Sequence, residues 1–197
     1  MPRIALSLSS AALLLAATLA SAQAQTTAVA NLQTVASPSG YQYQVPADWQ
    51  QIPNFVQQRM GSQTVSTDGE VSSTDGNEHA KVDALEGFGI TTADLPTMVA
   101  SYFAPPPGAP SDMPAMNVVA QPSSVQVSGA DAAENAAASY ADPNGNQRVV
   151  DVRIAIAGQK VYIFTVDVPQ SFYQSDPAFG QIMNSFTLTP SLSAASG

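Results

Sequence analysis

Residues 149–168 read VVDVRIAIAGQKVYIFTVDV, and residues 179–186 read FGQIMNSF. Apolar side chains alternate along 149–156 and again along 161–168, with the period of two that is typical of β-strands. Between these runs, Gly158-Gln159-Lys160 predicts a three-residue hairpin turn. The apolar residues of 179–186 recur at the spacing of one helix face. This part of the chain therefore predicts an antiparallel hairpin followed by a helix that packs on it.

The alanine-rich segment 131–140 precedes this hairpin. Propensity alone would make it a helix, but Asp142-Pro143-Asn144-Gly145 fits a type I turn with Gly145 in the left-handed conformation. A hairpin through this turn would set Ala136, Ala138 and Tyr140 against Val150, Val152 and Ile154. We therefore expect a strand here, whose small side chains let a helix pack closely.

The register expected around Gly158 also places three charged residues. It pairs Ile156 with Tyr162, and it puts Asp151 opposite Asp167 with Arg153 close to both. Two carboxylates near one guanidinium could bind a cation or act as an acid and base pair. The favoured interpretation is charge balance on the strand face that points away from the main core.

The remaining patterns predict a single domain over 40–189. Tyr41, Tyr43 and Val45 alternate with glutamines in an early strand, and Trp49 follows as a core anchor. Residues 95–103 have the apolar spacing of a helix, and 116–127 should supply one or two strands. A flexible linker is expected over 25–39 and a disordered tail over 190–197.

The first 24 residues predict a signal peptide for export. Arg3 precedes an apolar stretch, and both Ala20-Ser21-Ala22 and Ala22-Gln23-Ala24 fit signal-peptidase cleavage. The stretch is shorter than the roughly 20 residues of a spanning helix, so no membrane insertion is expected after the signal is removed. The protein should be periplasmic or secreted.

Composition narrows the function classes. The chain has no cysteine, which rules out disulfides and thiolate chemistry. Its formal net charge is −9, and Arg3 is the only charged residue in 1–24, so the mature chain carries −10. Such a chain is repelled by nucleic acids and anionic lipids. The sequence contains neither a glycine-rich phosphate loop nor a nucleophile elbow, the motifs that would predict a catalytic centre.

The acidic segment 68–86 is the candidate binding region. Four of its residues match positions 1, 3, 9 and 12 of a calcium-binding loop: Asp75, Asn77, Asp83 and Glu86. Ala80 stands where that loop needs glycine. His79, the single histidine, could join Asp75, Asp83 and Glu86 in a calcium, manganese or zinc site. The competing interpretation is a solvated strand, because apolar Ala80, Val82 and Ala84 alternate with polar residues. No other cofactor is predicted.

Over roughly 40–189 the order of predicted elements resembles that of the PsbP-like domains. These elements are an early strand ending in Pro46-Ala47-Asp48-Trp49, a mid-chain helix, an antiparallel meander and a closing helix with the pattern Phe179-x-x-Ile182-x-x-Ser185-Phe186. The resemblance implies an α+β fold, an α/β/α sandwich in which helices flank a twisted, mostly antiparallel sheet. The family includes photosystem II extrinsic proteins, Ran-binding relatives and exported bacterial proteins of unknown role. The matching positions are structural, so no reaction is implied.

Two functional hypotheses follow. The first is a non-catalytic exported accessory or interaction domain, monomeric by itself, whose partner is an unidentified envelope or extracellular protein. The second is a divalent-cation or small-ligand binding protein that uses segment 68–86. A hydrolase ranks third, because a catalytic triad would have to use His79. The proline-rich region 102–116 is expected to be a contact surface.

Overall fold

The computed structural model describes residues 31–53, 56–104 and 115–189. Every strand pairing within these ranges is antiparallel. The strands are β1 (Leu32–Ser37), β2 (Tyr41–Pro46), β3 (Gln50–Gln51), β4 (Val56–Met60), β5 (Gln63–Thr67), β6 (Val71–Ser72), β7 (His79–Glu86), β8 (Asn117–Ser124), β9 (Ala132–Ala141), β10 (Gln147–Ala157), β11 (Lys160–Pro169) and β12 (Thr187–Leu188). The helices are α1 (Leu95–Tyr102), α2 (Gln170–Ser175) and α3 (Pro177–Ser185).

The strands form two sheets. The large sheet has the order β3-β6-β7-β11-β10-β9-β8, and the β4–β5 hairpin joins it through β7. The small sheet has the order β1-β2-β12. Helix α3 packs against β2, and helix α1 packs against β9 and β10. The predicted α+β class with a mostly antiparallel sheet is confirmed, although strands as well as helices make up one of the outer layers.

The two faces of the large sheet bury separate apolar clusters. One face, which we call face A, packs under the small sheet and α3, and its cluster includes Tyr43, Phe164 and Phe186. The opposite face B packs under α1, and its cluster includes Val99 and Ile154. Strand β10 is buried from Val149 to Ile156 because both faces are covered. No helix in the described part of the chain is long and apolar enough to cross a membrane.

The N-terminal boundary differs from the prediction. The flexible linker expected over 25–39 is wrong for Leu32–Ser37, because these residues form β1 and pair along the length of β2. Val35 is 2% exposed, and the Gln33 amide donates hydrogen bonds to the Pro46 and Trp49 carbonyls. The composition of β1 is polar enough to hide its period of two. The predicted signal peptide 1–24 and tail 190–197 lie outside the described residues.

The predicted strand at 131–140 is confirmed as β9, and Ala136 and Ala138 face residues of the predicted set in β10, whereas Tyr140 pairs with Arg148. Val150 faces Ala138 and Val152 faces Ala136, while Gly145 has a φ of 84° in the turn between the strands. The buried alanines lie against α1, as their small size predicted. Here the turn residues determine the structure and outweigh helix propensity.

The predicted register of the next hairpin is wrong by one residue. Ile156 pairs with Val161, not with Tyr162, because the turn contains two residues, Gly158 and Gln159, and Lys160 already belongs to β11. Gly158 has a φ of 61°, as the first central residue of a type II′ turn requires. The one-residue shift moves every β11 side chain to the other face relative to β10.

The helix predictions hold with small shifts at the ends. α1 begins with Pro96 in its first turn, after Asp94 accepts hydrogen bonds from the Thr91 amide and hydroxyl at 2.8 Å. α3 begins at Pro177, and the Asp176 side chain accepts a 2.8 Å hydrogen bond from the Ala178 amide. The Asp176 cap satisfies an amide that the first turn of α3 leaves unpaired, while the contacts between Asp94 and Thr91 stabilise the 3-10 turn over Thr92–Asp94 that leads into α1.

Candidate functional site

The four predicted metal ligands are spread over residues 75–86, with Asp75 in the turn before β7 and the other three along β7. Asp75 lies in the turn before β7, where it accepts hydrogen bonds from the Ser73 hydroxyl at 2.7 Å and the Asn77 amide at 2.6 Å. These hydrogen bonds lower the pKa of the exposed Asp75 carboxyl to about 2. The His79 ring nitrogen Nε2 is 2.9 Å from the Gly76 carbonyl oxygen. Both residues therefore help to shape their own turn.

The other two predicted ligands lie farther along β7 and have partners of their own. Asp83 accepts a hydrogen bond from Thr67 and forms a 3.1 Å ion pair with Lys81, while Glu86 forms a 3.5 Å ion pair with Lys160. His79 and Glu86 stand at the two ends of the eight-residue strand β7, seven steps and about 23 Å apart. A calcium loop would have to curl around its ion. An extended strand cannot do so.

The structure therefore does not bring the four predicted ligands to one point. Across 31–53, 56–104 and 115–189, no group of three acidic or histidine side chains is placed to hold a metal ion. The alternation of Ala80, Val82 and Ala84 with polar residues is confirmed instead, since all three are buried in the face A cluster. The strand pattern was the better guide to this segment.

Part of the acidic segment lines a cleft of about 420 Å³, which we call the acidic cleft. Carboxylates from three parts of the chain line it together with Trp49 and Phe172, whose ring centroids lie 6.4 Å apart. The acidic residues are Asp48, Asp75, Glu78 and Asp176. Negative charge beside aromatic rings favours cationic groups over anions.

The outer edge of strand β8 is the most apolar exposed part of the described chain. Val118 is 46% exposed and Val119 is 51% exposed, and Met116 just before the strand is 37% exposed. β8 is the last strand of the large sheet, and among the described residues it pairs only with β9. Its register with β9 shifts at two places, between Val118 and Ala120 and between Ala120 and Ser123.

The charged residues of β10 do not lie where the sequence suggested. Asp151 faces Val166 and Arg153 faces Phe164, so both charges lie on face A, with 5% and 7% of their surfaces exposed. The expectation that they balance Asp167 on a face away from the main core is wrong, because it depended on the shifted register. Asn135 connects the two: its amide donates to Asp151 at 2.8 Å and accepts from the Arg153 Nε at 3.2 Å.

Asp167 has a different partner, Arg148, which the sequence reasoning missed. The Arg148 Nε lies 2.9 Å from Asp167 and 3.2 Å from the Tyr140 hydroxyl, and its Nη2 donates to the Asn77 carbonyl at 2.7 Å. This arginine ties β10 and β11 to the turn before β7. A two-residue turn at Gly158 would have revealed the pairing, because it places Asp167 and Arg148 on one face.

Comparison with solved structures identifies proteins with a similar architecture. The chain aligns with the solution structure of cyanobacterial PsbP (CyanoP) from Synechocystis sp. PCC 6803, with a TM-score of 0.57 and 14% identity over 83% of this chain and 95% of the other. The alignment covers nearly all of that protein. The chain has a PsbP-like fold. At this identity the likeness concerns the fold alone.

Two further solved structures are similar to this PsbP-like domain at lower scores. LpqN, involved in cell envelope biogenesis of Mycobacterium tuberculosis, has a TM-score of 0.49 and 16% identity over 81% of this chain and 92% of LpqN. A Bacteroides thetaiotaomicron protein has a TM-score of 0.48 and 11% identity over 79% of this chain, which spans only 48% of that protein. No family model matches the sequence, and neither does any curated protein.

Proposed function

We propose that this PsbP-like domain is an exported, non-catalytic accessory module that binds an envelope or extracellular protein through the outer edge of β8. The observation that carries the proposal is the exposure of Val118 and Val119 on the edge strand of the large sheet. The partner contributes an extended segment that adds to the sheet as a further strand.

The composition of β8 supports the use of its outer edge as a binding surface for a partner strand. Soluble proteins usually protect edge strands with charged side chains, prolines or bulges, because unpaired backbone groups attract other chains. β8 carries no charged residue, but it does carry the other two devices: Pro122 lies in its second half, and its register with β9 shifts between Val118 and Ala120 and between Ala120 and Ser123. A proline has no amide hydrogen to donate. The first half, around Val118 and Val119, is therefore the part available to a partner strand.

A non-catalytic role is favoured because reactive side chains in the described residues serve structural contacts. Asp68 accepts hydrogen bonds from three hydroxyls, those of Ser37, Ser39 and Tyr41. The ring of His79 contacts the Gly76 carbonyl. A nucleophile or general base would need a free partner within hydrogen-bond distance. Export to the periplasm or the medium is proposed from the signal-like residues 1–24.

Site-specific cross-linking in the source cells tests this proposal. A photo-reactive phenylalanine at Val119 should give one discrete adduct with a second protein, whereas the same residue at exposed Gln159 should not. Val118→Glu should abolish the adduct, because a charge on the strand edge opposes pairing, and the matched Gln159→Glu should leave it intact. Equal adducts at both positions, no adduct at Val119, or an adduct that survives Val118→Glu would each contradict the proposal.

The second candidate is the binding of a divalent cation or small ligand through segment 68–86. The observation in its favour is the acidic cleft, to which Asp75 and Glu78 of this segment contribute. Calcium, manganese and zinc should then raise the melting temperature, since a ligand that binds only the native state stabilises it. The combined Asp48→Asn and Glu78→Gln changes should remove the rise, and Asp142→Asn should not. No shift at millimolar metal would exclude this candidate.

A further inference from the structure

A buried polar group lies beneath the helices that cover face A. Its members are the half-buried Asn135 on β9 with the buried Asp151 and Arg153 on β10, and we call them the buried trio. Arg153 Nη1 donates a hydrogen bond to the Met183 carbonyl of α3. The trio therefore connects the large sheet to the outer layer through one arginine.

The contact with Met183 lies in the last turn of α3. A helix leaves its last four carbonyls without partners within the helix, and a cation near them is favourable. The Ser185 hydroxyl donates a hydrogen bond to the Ile182 carbonyl at 2.7 Å, and Arg153 donates one to the Met183 carbonyl. Just beyond this turn, the Leu188 amide of β12 donates to the Ser128 carbonyl at 2.8 Å. Arg153 thus holds the point where α3 passes into β12.

Few groups compensate a charge on Asp151. Arg153 faces it from its own strand and Tyr173 from α2, while the paired residues Ala137 on β9 and Val166 on β11 are apolar. Helix α3 carries no ionisable side chain. Asp151 and Arg153 do not form a direct ion pair within 4.0 Å in the described structure, because Asn135 lies between them.

We propose that the buried trio is a proton-controlled latch on the C-terminal end of α3. With a proton on Asp151, Arg153 remains on the Met183 carbonyl and α3 is held to the sheet. When Asp151 releases its proton to water, the new carboxylate attracts the guanidinium of Arg153 away from Met183. The end of α3 and strand β12 then open more often, while the rest of the large sheet stays closed.

The environment of Asp151 brings this transition near neutral pH. Burial raises the pKa of Asp151 from 3.8 to about 6, although the Asn135 hydrogen bond and the charge of Arg153 both oppose the change. A raised pKa means that the stabilising contribution is fully present below 3.8 and is lost as the pH rises through about 6. The latch is therefore closed in mild acid and looser in mild base.

Hydrogen exchange of the amides at 182–188 tests the latch between pH 5 and pH 8, after correction for intrinsic exchange. In the wild-type protein, protection there should fall by about tenfold or more with a midpoint near pH 6, since each pKa unit corresponds to a factor of ten. Asp151→Asn cannot ionise and should remove this pH dependence. The exposed control Asp142→Asn should behave as the wild type.

Two results would overturn the proposal. One is the same loss of protection in Asp151→Asn. The other is an equal free energy of opening for the amides at 182–188 and for those of β10 and β11 at every pH, which would mean that the end of α3 opens only when the whole domain unfolds. If Asp151→Asn does not fold, the carbonyl carbon-13 shift of Met183 in the wild-type protein gives the answer. It should titrate together with the Asp151 carboxyl, and a constant shift would contradict the latch.

Discussion

Asp151 illustrates how one residue can cost the fold free energy at neutral pH. Its carboxyl is 5% exposed, and burial raises its pKa to about 6 against one hydrogen bond and one guanidinium. Burial of a charge without a direct partner is unfavourable even when a polar neighbour bridges the gap. Removing this charge should therefore stabilise the protein where Asp151 is ionised.

Asp151→Asn should change the pH dependence of global stability. Because the pKa of Asp151 rises from 3.8 to about 6, the wild-type protein should lose stability relative to the variant as the pH increases from 4 to 8. The expected change is about 3 kcal/mol, since one pKa unit is worth about 1.4 kcal/mol. Urea unfolding at both pH values measures it, and a difference independent of pH would be the contrary result.

At the scale of elements, turn chemistry proved more informative than helix propensity. The Asp142 to Gly145 turn correctly predicts β9 despite its alanines, because Gly145 supplies the left-handed conformation. The same reasoning failed at Gly158, where two- and three-residue turns are both compatible with the apolar pattern. β10 is buried on both faces, so its side chains alone do not reveal the register. Because the register between β10 and β11 was predicted wrongly, the partners of Asp151 and Asp167 were predicted wrongly as well.

The two-residue strand β12 and the acidic cleft could not be predicted from the sequence, because both depend on contacts between residues that lie far apart in the chain. β12 has two residues, and its position depends on contacts with β2 and with the Ser128 carbonyl. The acidic cleft joins Trp49, Asp75 and Phe172, which lie far apart in the chain. Sequence periodicity reports local structure only. Strands β2, β7, β10 and β11 and helices α1 and α3 were accessible in that way, whereas β9 was predicted from its turn.

The docking of β12 against the loop before β9 makes a prediction about two glycines. Gly129 and Gly145 have nearly equal φ values of 83° and 84°, but a Cβ on Gly129 would lie 2.2 Å from the Leu188 carbonyl oxygen, and one on Gly145 meets nothing within 4 Å. Gly145→Ala should cost about 1–2 kcal/mol for the left-handed backbone alone. Gly129→Ala should cost clearly more, because β12 must also move. Similar losses in urea unfolding would refute close packing of β12 at Gly129.

The whole molecule is a large sheet covered on face A by a small sheet that β1 completes. β1 buries Val35, and the Ser37 and Ser39 hydroxyls, in and just after β1, donate hydrogen bonds to Asp68 in the segment between β5 and β6. The Tyr162 hydroxyl of β11 donates to the Ser39 carbonyl at 3.0 Å. Residues 32–39 are therefore part of the domain and not a linker before it.

A chain that begins at Gly40 should consequently be less stable than one that begins at Asn31. Exposing the site of Val35 costs about 1.5–3 kcal/mol, and the loss of two hydroxyl partners for a charged carboxylate adds about 1.5–3 kcal/mol for each. We expect a total loss of at least about 3 kcal/mol, together with a smaller dependence of stability on urea concentration, because less surface is buried. As a control, a chain that begins at Asn31 and carries Gln42→Ala, which changes an exposed β2 side chain, should stay within about 0.5 kcal/mol of its parent. Equal stability of the chains beginning at Asn31 and at Gly40 would show that β1 contributes nothing to the fold and that the domain starts at Gly40 after all.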